Sequence, residues 1–399
     1  MTEKAREQIP SFALFGLAFR PLFLIAAATS IVVLLIWGLF LGGLLSFAPF
    51  GDTLFWHSHE MIFGFVGAVL VGFLLTAVQN WTGIRAPHGV QLVFLVALWL
   101  LGRIAVFFGS PLPIWLVALI DLSFLLISAW LLSRPLLEKR QYRNLFTIAV
   151  LILLSICNLM SYAGVMTENP ALQTNAFHSA VLLITLMMTI IGGRVIPMFT
   201  ANATQSKAAP RIRWLDRTAL GTLWLVFIFQ LFFINNLIPQ ALLASLYALA
   251  ALLLLARALQ WKIWLTFRHP LLWSLHIAYW FIPVGLALIA AHHAGSNLNI
   301  TTAIHALTVG AMAGMILSMM TRVSLGHTGR PIVAKPLMTV SFVLILAAAI
   351  TRVLFALIWP EDTQLLLWIS IVLWVLAYGL FLVSFSPILI KPRPDGKPG

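Results

Sequence analysis

Residues 55–83 read FWHSHEMIFGFVGAVLVGFLLTAVQNWTG. Two histidines and a glutamate, His57, His59 and Glu60, stand at the mouth of an apolar run with no charge in its interior. Such a run is long enough to cross a bilayer core of roughly 30 Å. Ionisable groups at the edge of hydrocarbon are costly unless something binds or pairs them. The stretch therefore points both to a membrane-spanning helix and to a ligand or partner at its end.

Working outward, the same kind of run recurs along all 399 residues, of which 61% are hydrophobic and 9% charged. A soluble domain is about a quarter charged. The composition thus predicts an all-α, polytopic integral membrane bundle whose helices satisfy their own backbone hydrogen bonds. Polar and Pro/Gly breaks divide it into about twelve spans, near 21–43, 57–79, 90–108, 112–133, 144–166, 174–199, 217–235, 239–258, 271–292, 301–321, 336–358 and 364–386. No soluble insert or composition break appears, so residues 1–399 read as one domain with tails at 1–20 and 387–399. MTEKAREQIPSF lacks a cleavable-signal pattern, and the first run is expected to stay as a helix.

The loops test this numbering. Alternate connections, 44–56, 109–111, 167–173, 236–238, 293–300 and 359–363, contain no Lys or Arg. The opposite side carries Lys4, Arg6, Arg20, Arg85, the cluster RPLLEKRQYR, the loop KAAPRIRWLDR, Arg257, Lys262, Arg268, Arg322, Arg330, Lys335 and a basic tail. The positive-inside rule then places both termini in the cytoplasm, with twelve spans between them. It also accounts for most of the net charge of +13, so nucleic acid has no part in the reading. Cys157 is the only cysteine and lies in an apolar run, which excludes a disulfide framework and a thiolate metal cluster.

With direction set, each histidine acquires a depth. His57 and His59 open the second span, His178 the sixth and His305 the tenth, all at the outer end. Imidazole is the commonest metal ligand, and the layer reads as a metal or cofactor site. Helical periodicity puts His57 on a stripe with Glu60, Gly64 and Gly67, and turns His57 and His59 to opposite sides, toward different sites or with one orienting the other. His276 lies about 9 Å in from the cytoplasmic end of the ninth span, six residues at 1.5 Å each. It shares a face with Tyr279, Trp280 and Pro283, and His327 sits in the loop GHTGR. Gly310 and Gly314 read as helix packing. Met312, Met315, Met319 and Met320 read as core filler before soft ligands for Cu(I). Arg194 and Arg322 fit snorkelling to the interface. Arg352 reads as the one basic residue displaced toward the outer half, suited to a haem propionate. Within the spans the acids are essentially Glu60 and Asp121. No phosphate-binding loop, HExxH, CxxCH or Ser/His/Asp order is present, so catalytic residues are not assigned.

The blocks WHSHEMIFGFVGAVLVGFLLTAVQNWTG, IGGRVIPMFTAN, RHPLLWSLHIAYWFIPVGLAL and HALTVGAMAGMILSMMTRVSLGHTGR resemble the signature segments of the NnrS family. The resemblance implies a twelve-span inner-membrane protein that carries haem b and copper in the bacterial response to nitric oxide, often in denitrifying or host-exposed bacteria. It implies functional positions at His57, His59, Glu60, Asn80, Arg194, His276, His305, Arg322 and His327, with His178 a further candidate. His59 and His305 are expected as iron ligands, and His57 and His178 as ligands of copper or of a second metal position, with the choice between His57 and His59 left open. A wider analogy is to haem–copper oxidases and nitric oxide reductases. The seventh span, RTALGTLWLVFIFQLFFIN, lacks the histidine pair of their copper site, so oxygen-reducing proton pumping is not implied. The alternatives to nitric oxide turnover are a haem or copper transporter, passing cargo from His305 to His276 and His327, and a membrane sensor or assembly factor. The electron donor is not named by any motif.

Overall fold

In hydrocarbon a backbone N–H or C=O finds no water, so each segment must close its own hydrogen bonds. The computed structural model, which describes residues 13–109 and 111–396, does this with helices, and has no strand among those residues. Twelve long helices are described: α1 Phe19–Leu41, α2 Thr53–Thr82, α3 Val90–Phe108, α4 Ile114–Glu138, α5 Phe146–Met166, α6 Pro170–Thr204, α7 Arg213–Leu231, α8 Gln240–Leu259, α9 Pro270–His293, α10 Ile300–His327, α11 Pro336–Ile358 and α12 Thr363–Leu389. Eleven are long and apolar enough to cross a membrane. The exception is α7, whose first turns carry Arg213, Asp216 and Arg217. It packs between α6 and α8 all the same.

Each expected span coincides with one helix, and the differences lie at the ends. Thus α2 begins at Thr53, where the Asp52 carboxylate accepts from the Phe55 N–H (2.7 Å), placing His57 and His59 inside the helix. At the margins α1 includes Arg20 and α12 runs to Leu389, shortening the tails expected at 1–20 and 387–399. Lys4 and Arg6 lie outside the described residues. With the observed ends, the connections on one side of the bundle still carry no Lys or Arg.

Four helices, α2, α6, α9 and α10, are the most buried. The histidine-bearing set α2, α6 and α10 meets in the interior, each touching the other two. Gly310 and Gly314 serve that packing: a Cβ at Gly310 would fall on the Phe281 ring, and one at Gly314 would come within 2.7 Å of the Ala278 Cβ. Three helices widen locally to π geometry, α2 at Glu60–Val66, α10 at Ala306–Ala313 and α11 at Thr351–Phe355. π segments cost hydrogen-bond geometry and occur often at functional sites, because they re-aim side chains.

Candidate functional site

The three π segments mark one layer. The first follows His59 directly, the second follows His305 directly, and the third contains Arg352. The outer turn of α10 and its π segment both pack against the π segment of α11. At this junction stand His305, at the end of the first turn of α10, and Arg352, in the π segment of α11. The His57 ring stacks on Trp37 (4.5 Å between centroids), its Nδ1 is buried without a partner, and its Nε2 makes no hydrogen bond. His305 Nδ1 lies 2.7 Å from the Thr301 carbonyl oxygen. A carbonyl only accepts, so Nδ1 carries the proton and the Nε2 lone pair is left unused. That is the second-contact arrangement that fixes the tautomer of a metal-binding histidine. Arg352 Nε is also buried and unpartnered.

On the other side of α2 lies a separate polar network, in which only Arg103 Nε has neither a hydrogen bond nor an ion-pair contact. His59 is fully buried, its Nδ1 3.3 Å from Glu60 Oε1 and its Nε2 3.0 Å from both Asp121 Oδ2 and Asn158 Oδ1. The Tyr162 hydroxyl is 3.4 Å from the same Nε2. Arg103 Nη1 pairs with Glu60 (3.2 Å) and Nη2 donates to Asp121, which also accepts from Asn158 Nδ2 (2.6 Å). With acceptors at both ring nitrogens, His59 completes a balanced set, two carboxylates against a guanidinium and an imidazolium. Such a ring has no lone pair to give a metal. Two glycines admit the set: a Cβ at Gly64 would meet Arg103 and Glu60 Oε2, and one at Gly102 would come within 3.0 Å of Asp121 Oδ1. The stripe expected to join His57 to Glu60 is therefore broken, because the helix widens from Glu60 onward and turns that carboxylate to His59 and Arg103.

A family model described as NnrS protein matches residues 13–393. The chain belongs to the NnrS family. It is thereby a membrane protein of the nitric oxide response. No curated protein sequence matches the chain.

The remaining NnrS signature positions fall into different settings. His178 is half-buried at the outer end of α6 with no hydrogen bond to its ring, beside Phe177, which packs on Phe55 and Phe63. His276 is fully buried, with Nε2 2.8 Å from Thr200 Oγ1 and Nδ1 unpartnered. The His327 ring rests near Phe19 at 5.7 Å. Arg194 and Arg322 lie over the rings of Phe146 (5.3 Å) and Phe199 (3.6 Å). Asn80 is exposed at the inner end of α2. Among the described residues no group of three or more His, Cys, Asp or Glu side chains is arranged to hold a metal ion. The histidines of the layer therefore do not gather into one cluster.

Several functional-looking residues were hidden from sequence reasoning. Arg103 stands, like Arg352, toward the end of its helix that meets the loops without Lys or Arg, so Arg352 is not alone there; counting charges by loop passed it over. The signals that could have found its partners are Asn158 and Tyr162, two polar residues four apart in an apolar run. Arg257 was counted among the basic residues of one side of the bundle, at the end of the span 239–258; it lies buried in α8, where Nε donates to Asp216 (2.6 Å) and Nη1 to the Thr189 carbonyl (2.9 Å). The Gly-Gly pair of IGGRVIPMF makes room for it: a Cβ at Gly193 would fall on the Arg257 guanidinium, and one at Gly192 would crowd the Tyr279 ring at 3.2 Å. Below the histidine layer, between α1, α2, α6 and α10, lies an apolar cleft of about 100 Å³ whose lining includes Met187, Met188, Met315, Met319 and Met320.

Proposed function

We propose that this NnrS protein binds a haem b at its outer layer, with His305 offering the retained iron ligand, His57 an exchangeable one that would give way to nitric oxide, and Arg352 facing the propionates. The observations that support the reading are two imidazoles with free Nε2 atoms, the packing of the first turn and π segment of α10 against the π segment of α11, and the buried, unpartnered Nε of Arg352 in that segment. The donor set fits the group: two neutral nitrogens for iron, a cation for carboxylates, and the Trp37 indole as an apolar wall against His57. The role of iron ligand considered for His59 passes to His57, because both nitrogens of His59 already serve Glu60, Asp121 and Asn158. When bound, haem supplies an iron that takes nitric oxide. The chain's own part is to orient His305 through Thr301, to hold His57 against Trp37 and to counter the propionate charge. Nitric oxide partitions into lipid, so a site between helices suits its approach.

Copper, the second cofactor that the resemblance implied, is better matched by the thioethers of the central cleft than by the separated histidines. Sulfur donors of this softness favour Cu(I), and five methionines line that one cavity. The loop charge bias supports an inner-membrane location with cytoplasmic termini.

The test is the absorption spectrum of the purified protein, oxidised, reduced, and reduced with nitric oxide. A Soret band that shifts with nitric oxide is expected, lost or strongly altered in His57→Ala and His305→Ala and retained in His88→Ala. Absence of the band from the unmodified protein overturns the proposal.

A further inference from the structure

The N-terminal end of α1 holds a cation whose charge the described residues do not fully answer. Arg20 is fully buried. Its Nη1 donates to the carbonyls of Leu389 (2.7 Å) and Lys391 (2.8 Å), closing the C-terminus of α12, where a positive charge is favoured. Its Nε and Nη2 are buried and have no partner among the described residues. Those two atoms form the edge of a guanidinium that grips a phosphate or carboxylate with parallel hydrogen bonds. Leaving charged donors unmade in a dry site is more expensive than leaving them in water.

Two further guanidiniums, Arg330 and Arg393, act electrostatically on Arg20. Arg393 pairs with Asp395 (2.6 and 2.8 Å) and reaches the His327 carbonyl (3.0 Å), while Arg330 donates to the Thr328 carbonyl (3.2 Å). Gly329, at φ +70°, permits this approach: a Cβ there would stand 3.1 Å from Asp395 and 3.2 Å from Arg393. Among the described residues the cluster therefore sets three guanidiniums against one carboxylate, Asp395. It sits at the ends of α1, α10 and α12, on the side of the bundle that carries the Lys and Arg of the loops. The exposed turn at 391–396 forms its open flank.

We propose that Arg20, Arg330 and Arg393 form a binding site for a phosphate oxyanion, presented by an anionic phospholipid headgroup or by free phosphate. The ligand supplies the missing negative charge, takes the Nε–Nη2 edge of Arg20, and ties α1, α10 and α12 together. Basic pockets between helices on the cytoplasmic side hold lipid phosphates in this way.

The test compares lipid retention by native mass spectrometry, for the whole protein released from nanodiscs of phosphatidylglycerol or of phosphatidylcholine. Phosphatidylglycerol should stay bound and phosphatidylcholine should not. Arg330→Gln and Arg393→Gln should each weaken retention about tenfold, the loss expected when one charge-assisted contact is removed. Arg211→Gln, an exposed cation on the same side, should leave it unchanged and so excludes a merely basic surface. Arg20→Met is avoided because its loss also frees the α12 terminus. A second arm titrates inorganic phosphate in detergent. Stabilisation that fails in Arg330→Gln and displaces the lipid assigns the site to free phosphate, and no effect of phosphate beside tight lipid binding assigns it to the headgroup. Equal retention of the two lipids together with no response to phosphate, or unchanged binding in both Arg→Gln variants, overturns the site.

Discussion

The buried set His59, Glu60, Arg103 and Asp121 offers a quantitative test of charge balance inside this bundle. Arg103 lies 3.2 Å from Glu60, and His59 lies 3.0 Å from Asp121. At an effective dielectric of about 20, contacts this close are each worth about 5 kcal/mol of attraction before desolvation is subtracted. Arg103→Met leaves two carboxylates facing one imidazolium, and Asp121→Leu leaves two cations facing Glu60. Each single change strands a charge and should cost about 3–5 kcal/mol. The double variant Arg103→Met/Asp121→Leu leaves Glu60 paired with His59, so the stranded charge disappears. It should therefore be less destabilised than the sum of the singles by about 3 kcal/mol. Unfolding in mixed micelles with increasing dodecyl sulfate, followed by far-ultraviolet circular dichroism, measures all four proteins on one scale. Strict additivity would refute the balance argument, and so would a single variant as stable as the parent.

Arg352→Leu should lower the midpoint potential of bound haem, because removing a cation beside the propionates favours the ferric form; an unchanged potential and haem content would remove Arg352 from the site. Gly193→Ala should destabilise by about 1–3 kcal/mol through overpacking on Arg257, measured as a fall in melting temperature. Gly221→Ala, with open space around its position, should be neutral or slightly stabilising. Replacing Met187, Met315 and Met319 together by Leu should reduce bound Cu(I), assayed by competition with a coloured chelator, while the haem spectrum stays as it was.

The number and extent of the helices were legible in the sequence because the forces that set them are local. A run of apolar residues in lipid has to close its own hydrogen bonds, so each run becomes a helix whatever surrounds it. Loop charge likewise follows from chain order alone, and it put His57, His59, His178 and His305 at one end of the bundle. Even the glycines of GAMAG could be read as packing, since spacing four apart defines a helix face.

The site was not legible in the same way, because it depends on how each helix is rotated about its own axis. His57 and His59 are equivalent candidates by spacing, and only the neighbours distinguish them: Trp37 for the first, Asp121 and Asn158 for the second. The π segments at Glu60, Ala306 and Thr351 shift that rotation locally, and no sequence period announces them. Arg103 and Arg257 illustrate the same division. From the sequence each is a cation near the end of an apolar run, free to snorkel. In the folded bundle the facing helices supply Asp121 and Asp216, and glycines on the adjoining helices leave the space. Local hydrogen bonding and loop charge thus determined the spans and their order, whereas interhelical packing decided which polar side chains meet, and hence which histidines keep a nitrogen free.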